Sequence, residues 1–207
     1  VEGRNFDIRK QLLEYDDVSN DQRRVVYQQR NEVLVTDDLS SNIAEIREQV
    51  LSEAITSYVP AQSLPEQWDL AGLQDYLKQE FNLDVPLVQW AEEDEHFHED
   101  LLRERLHDQH RGLFASKAEA VGPELMRRFE KQVMLQVLDT RWKEHLQHMD
   151  HLRRGIHLRG YAQKNPKQEY KREAFELFQT LLANIKHDVI RIPVSYTHLT
   201  LPTTERV

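Results

Sequence analysis

The sequence predicts an all-α fold, and three observations carry that prediction. Apolar residues recur at steps of three and four along most of the chain, the spacing of one helix face. The 6 glycines and 7 prolines among 207 residues are too few for the many tight turns of an all-β fold. A mean hydropathy of −0.72, with 39% apolar and 30% charged residues, suits long helices washed by solvent.

Residues Asn5 to Leu34 mix apolar and charged side chains. Asp16-Asp17-Val18 precedes Val25, Val26 and Val33, which predicts a helix from about Asp17. Thr36-Asp37-Asp38 breaks or kinks it, and Ser40-Ser41 is the expected cap of the next helix. Ile43, Ile46, Val50, Ala54, Ile55 and Tyr58 form its apolar stripe, and Pro60 ends it. Shorter pieces follow. Leu70, Leu73, Leu77 and Phe81 mark one helix, and Pro86 is expected as the first position of another bearing Trp90. After the acidic run Glu92–Glu95 comes a longer helix with Phe97, Leu101, Leu102, Leu106 and Leu113. Gly122-Pro123 is a boundary.

From Glu124 a long helix carries Leu125, Phe129, Val133, Leu138, Trp142, Leu146, Met149 and Leu152, and Gly155 and Gly160 end it. Asn165-Pro166 starts a last helix with Tyr170, Ala174, Phe178, Leu181, Ile185 and Val189 on one face. The economical arrangement is an antiparallel two-helix hairpin. Beyond Pro193 the helical period is lost.

Charge is unevenly spread. The window from Arg141 to Arg172 holds nine Lys/Arg and three acids, a net of +6 in a chain whose total is −9. The bend of the hairpin is therefore a basic tip with a single tyrosine, Tyr161. Such a tip fits an acidic protein surface, anionic lipid heads or nucleic-acid phosphates. A chain of pI near 5.6 with one aromatic at the tip favours protein or membrane surface over nucleic acid. A stand-alone module binding nucleic acid through the basic hairpin is the alternative.

Other chemistries find little support. No apolar run reaches the roughly 20 residues of a membrane span. The absence of cysteine excludes disulfides and thiolate metal sites within this chain. Gly155 to Gly160 matches half of a phosphate loop, but Tyr161 stands where lysine is needed and a helix precedes it. The histidine sets His107/His110 and His145/His148/His151, like Glu95/His98 and Glu104/His107, lie along single helices and are expected to be solvated surface groups, not metal ligands. No catalytic constellation emerges.

Three stretches carry a resemblance to a known family that covers roughly Val1 to Ile190, Thr36 to Gly122 included. RNFDIRKQLLEYDDVSNDQRRVVYQQRNEVL (Arg4 to Leu34), PAQSLPEQWDLAGL (Pro60 to Leu73) and VMLQVLDTRWKEHLQHMDHLRRGIHLRGYAQKNPKQEYKREAFELF (Val133 to Phe178) are similar to the helical scaffold, the helical wing and the two-helix finger of the SecA family, ATPases of bacterial preprotein export. The resemblance implies a first scaffold part at 1–35, a wing at 36–122, and a second scaffold part with the finger at 123–192. Residues 193–207 depart from the family pattern and are expected to be an artefactual, non-family tail.

The resemblance further implies a piece of a translocating ATPase with no catalytic residue of its own. ATP and magnesium would bind in motor domains outside it, and the family's zinc-binding tail is absent from it. Tyr161, with Arg159, Lys164 and Lys167, would contact preprotein and the SecYEG channel. The remaining implied partners are the protein's own motor domains, an anionic phospholipid surface and, in the full-length protein, a second copy. A cytoplasmic protein held peripherally at the inner membrane is the implied location.

Overall fold

The computed structural model describes residues 2–94, 97–156 and 165–196, with the side chains of 2–12, 14 and 193–196 excepted. It is all-helical among these residues. The helices are α1 (Glu2–Val35), α2 (Ser40–Tyr58), α3 (Leu70–Phe81), α4 (Leu87–Glu93), α5 (Glu99–Val121), α6 (Pro123–Gly155) and α7 (Pro166–Tyr196), with a short 3₁₀ turn at Pro65–Gln67. The chain divides into two compact units, Val1–Asp37 with Met134–Ile185, and Asp38–Val133 with the part of α7 from Lys186.

Most boundaries lie where turn chemistry places them, and the exceptions have physical causes. α1 begins at Glu2, not near Asp17. Nothing between Arg4 and Asp17 breaks a helix, and Arg, Gln, Leu, Glu and Lys abound there, so the acidic pair lies in mid-helix. The α2 terminus is held by Asp38, not by the serines: its carboxylate accepts the Ser40 N–H at 2.9 Å and the Ser40 hydroxyl. Ser40 and Arg127 hold the Asp38 carboxyl down at about 2. Pro86 stands one residue outside α4, and Phe97 lies before α5. α7 continues through Pro193 to Tyr196.

The second unit is built on α2 and α5. Leu51, Ile55, Leu73, Leu77, Leu102 and Leu106 are fully enclosed in it. Asp69 caps α3 by accepting the Gly72 N–H at 2.9 Å, and Asn82 closes the same helix in the left-handed region at φ 51°. Gly122 ends α5 at φ 93°, a conformation that favours glycine. Polar groups are also buried here. Arg47 lies 3.8 Å from Glu130, with its guanidinium carbon 3.2 Å from the Phe114 ring centroid. Burial pushes the Arg47 guanidinium down to about 10 and the Glu130 carboxyl up, each partner opposing the other's shift.

The first unit is a three-helix bundle. Along α1, Asp16 meets Arg153, Gln22 meets His145 and Arg30 meets Asp139. The α6 partners recede as α1 advances, so these helices run antiparallel. Tyr15 meets Tyr170 and Gln22 meets Ala174, so α1 and α7 run parallel. Ile156 and Tyr170 share one apolar cluster near the bend, while His145 faces Phe178 further along. The hairpin of α6 and α7 is thus antiparallel. Along α6 the apolar stripe is offset by one residue at its start: Met126 is buried and Leu125 is 60% exposed.

Candidate functional site

The bend of the hairpin is the candidate site, and the structure defines its supports. Of the four residues singled out there, Arg159, Tyr161 and Lys164 lie outside the described residues. Lys167 is in the first turn of α7 and half-buried. Its backbone N–H donates to the Asn165 side chain at 3.0 Å, and the Glu169 N–H donates to the Asn165 carbonyl at 3.1 Å. Asn165 therefore caps α7, and Pro166 follows with its ring already set for the first helical position.

Below the bend sits an apolar floor of Tyr15, Met149, Ile156, Tyr170 and Ala174, with Val18, Leu152 and Leu177 at its margin. Ile156 and Tyr170 are among the most enclosed side chains, and each such burial stabilises by about 2 kcal/mol. The Tyr170 phenol is raised by burial, against a hydrogen bond with Ser19 that lowers it. Two chain ends of the bend are thereby anchored on one cluster, and α1 supplies its third wall.

Much of the basic charge near the bend is tied. Arg153 pairs with Asp16 at 3.0 Å, Arg154 with Asp150 at 2.6 Å and Arg172 with Glu169 at 2.8 Å. Apart from the Glu169 carboxylate these groups are exposed, so the pairs have small energetic value, but they reduce the local field. On one face of the hairpin an open groove of about 630 Å³ is lined by His148, His151, Leu152, Arg172, Glu176 and Leu177 among others. Among the described residues no three His, Asp or Glu side chains come together as a metal-binding group. No described helix is long and apolar enough to cross a membrane.

Sequence reasoning missed the polar centre of the bundle. His145, expected on the surface, is 3% exposed. Its Nε2 lies 2.8 Å from Gln22 Oε1, and Gln22 Nε2 donates to the Ala174 carbonyl at 2.9 Å. Because the Gln22 nitrogen is used on Ala174, its oxygen accepts, and His145 carries its proton on Nε2. Trp142 stacks on the imidazole with centroids 5.4 Å apart, and Phe178 meets it edge-on at 5.9 Å. Burial drives the imidazole down to about 4, with His148 adding to the shift, so it is neutral at pH 7. His110, also expected on the surface, is likewise buried, against Phe81. The available signal was position: His145 falls in step with Leu138, Trp142 and Met149 on the buried stripe.

Comparison with known proteins places this arrangement. The profile described as "SecA Wing and Scaffold domain" matches residues 1–196. The protein translocase subunit SecA of Chromohalobacter salexigens is 94% identical over 192 residues, 93% of this chain and 21% of the relative. The protein translocase subunit SecA of Nitrosococcus oceani is 59% identical over the same share of each chain. The chain spans about a fifth of the length of these curated relatives.

Proposed function

Since the chain belongs to the SecA wing and scaffold family, we propose that it is the part of an ATP-driven preprotein translocase that carries motion from the motor to the exported chain. Nucleotide and magnesium bind in motor domains outside this segment. α1 receives the motor's movement, and the α6–α7 hairpin delivers it at the bend. There Tyr161 touches unfolded preprotein at the mouth of the SecYEG channel. Arg159, Lys164 and Lys167 face the channel or the anionic lipid surface, to which the protein attaches peripherally.

One observation carries this reading: α1 is packed along both arms of the hairpin, through Gln22, Tyr15 and Asp16. Packed helices move as nearly rigid bodies, so displacement of α1 reaches the bend. A lone tyrosine there suits a substrate of no fixed sequence, since its ring offers apolar area and its hydroxyl one hydrogen bond at low rotamer cost. Basic neighbours add attraction without selecting a sequence.

The test is Tyr161→Ala in the full-length protein. Preprotein transport falls while basal ATP hydrolysis persists; unchanged transport refutes the role of the bend. The nucleic-acid reading predicts binding to DNA that weakens steeply with salt. A gel shift at two salt concentrations separates the two.

A further inference from the structure

We propose that Gln22 and His145 form a register clasp, a pair of positioning residues that fixes where the first helix stands along both arms of the hairpin. The inference rests on the coupling function proposed above and names the contact through which coupling passes.

Other contacts along α1 hold the register only weakly. The flanking ion pairs, Asp16–Arg153 and Arg30–Asp139, have side chains 38–50% exposed. Pairs of that kind contribute little and reform readily with other partners. The apolar floor resists slippage by packing, but apolar burial is non-directional and selects no single partner residue. The buried amide is different. Gln22 is 7% exposed, and its two polar atoms have one partner each, His145 Nε2 on α6 and the Ala174 carbonyl on α7.

Slippage of α1 by one turn would bring Arg141 or Met149 to the place of His145. Methionine offers no donor. Arg141 is a cation already paired with Glu144. In the first register the guanidinium would have to leave Glu144 and enter an enclosed site, where a charge is costly, and in the second the buried amide would lose its partner, which costs more than the bond itself contributes. Because one side chain grips both arms, α1 cannot advance along one arm without releasing the other. Axial thrust on α1 is therefore delivered to the whole hairpin.

The test uses the full-length protein with spin labels at Gln29→Cys and Gln147→Cys, two exposed positions on α1 and α6 in a segment without native cysteine. The unaltered pair gives one distance. Gln22→Met gives a second population displaced by about 5 Å, one helical turn. Loss of one buried hydrogen bond raises the slipped population about fivefold, and ATP hydrolysed per preprotein moved rises severalfold. His145→Gln keeps a donor near the Nε2 position, leaves one unshifted distance and keeps ATP per preprotein within about twofold of the parent. Should Gln22→Met fail to fold, Gln22→Leu with His145→Leu removes both partners and leaves no orphaned group between them. A single, unshifted distance in that double variant overturns the clasp. Shifted distances with unchanged ATP per preprotein overturn its part in coupling. If Tyr161→Ala leaves transport intact, the coupling function itself fails, while the distance measurement still decides the clasp.

Discussion

Tyr15 and Tyr170 lie with ring centroids 4.5 Å apart and planes tilted by 49°, so the helix entering the bundle touches the hairpin just beneath its bend. The contact closes the apolar floor on which the bend stands. Tyr170→Ala empties a fully enclosed ring site and is expected to cost about 3–5 kcal/mol. Tyr170→Phe keeps the ring and loses only the hydrogen bond with Ser19, about 1 kcal/mol. Denaturant unfolding of both variants checks the order; equal losses would show that the hydroxyl, not the ring, carries the site.

A second prediction concerns acid. His145 and His110 are both held at about 4, below the ordinary histidine value of 6.5. Burial is the leading cause in each case. The charge of His148 adds to the shift of His145, while Arg47, His107 and Lys117 add to that of His110. The unfolded chain binds these protons first as pH falls, so acid favours unfolding. Stability is full above pH 7 and declines from about 6.5 toward 4. Each histidine contributes a loss on the order of 2–3 kcal/mol by pH 4.5. His145→Gln removes its share, flattening the pH dependence of the first unit. An unflattened profile would place the proton uptake elsewhere.

The buried pair of the second unit makes a third prediction. Arg47 and Glu130 are 8% and 2% exposed. Removing one partner strands the other charge, so Arg47→Met or Glu130→Met is expected to cost about 3–5 kcal/mol. The double replacement leaves no stranded ion and recovers most of that loss. Unfolding midpoints of the two single variants and the double form the cycle. Additive losses would mean that the pair does not interact.

These sites also show where the sequence was legible. Helices with a simple apolar stripe between breakers, such as α2 and α3, were readable to within a residue or two. The break at Thr36–Leu39 and the restart at Pro166 followed from turn residues. α1 was readable only in part, because Asp16-Asp17 looks like a helix start and its apolar residues keep no clean period. Polar residues on buried stripes defeated the reading more thoroughly. Gln22, Arg47, Glu130 and His145 occupy core positions because distant helices bring them partners, and no local pattern announces a partner on another helix. The ends of the two arms were legible at Gly155 and Asn165-Pro166, whereas the supports beneath the bend, Tyr15 and Ser19 on α1, required the fold.

The last prediction separates charge at the bend from charge along the arms. Arg153, Arg154 and Arg172 each have a carboxylate within 3.0 Å, which offsets their field at a distance. Arg159, Lys164 and Lys167 are the residues proposed to draw the bend toward an acidic or anionic surface. Their replacement together by alanine is expected to slow preprotein transport about tenfold at low ionic strength, where the Debye length is about 30 Å at 0.01 M. At 0.5 M salt the gap should close to about twofold, since screening removes the same attraction from the parent. Arg154→Ala, which dissolves one exposed ion pair with Asp150, should change the rate by less than about twofold at either salt concentration. Transport rates of the full-length variants at the two salt concentrations decide it. A triple variant slowed equally at both would mean that these side chains act by shape or hydrogen bonding, and that long-range attraction plays no part at the bend.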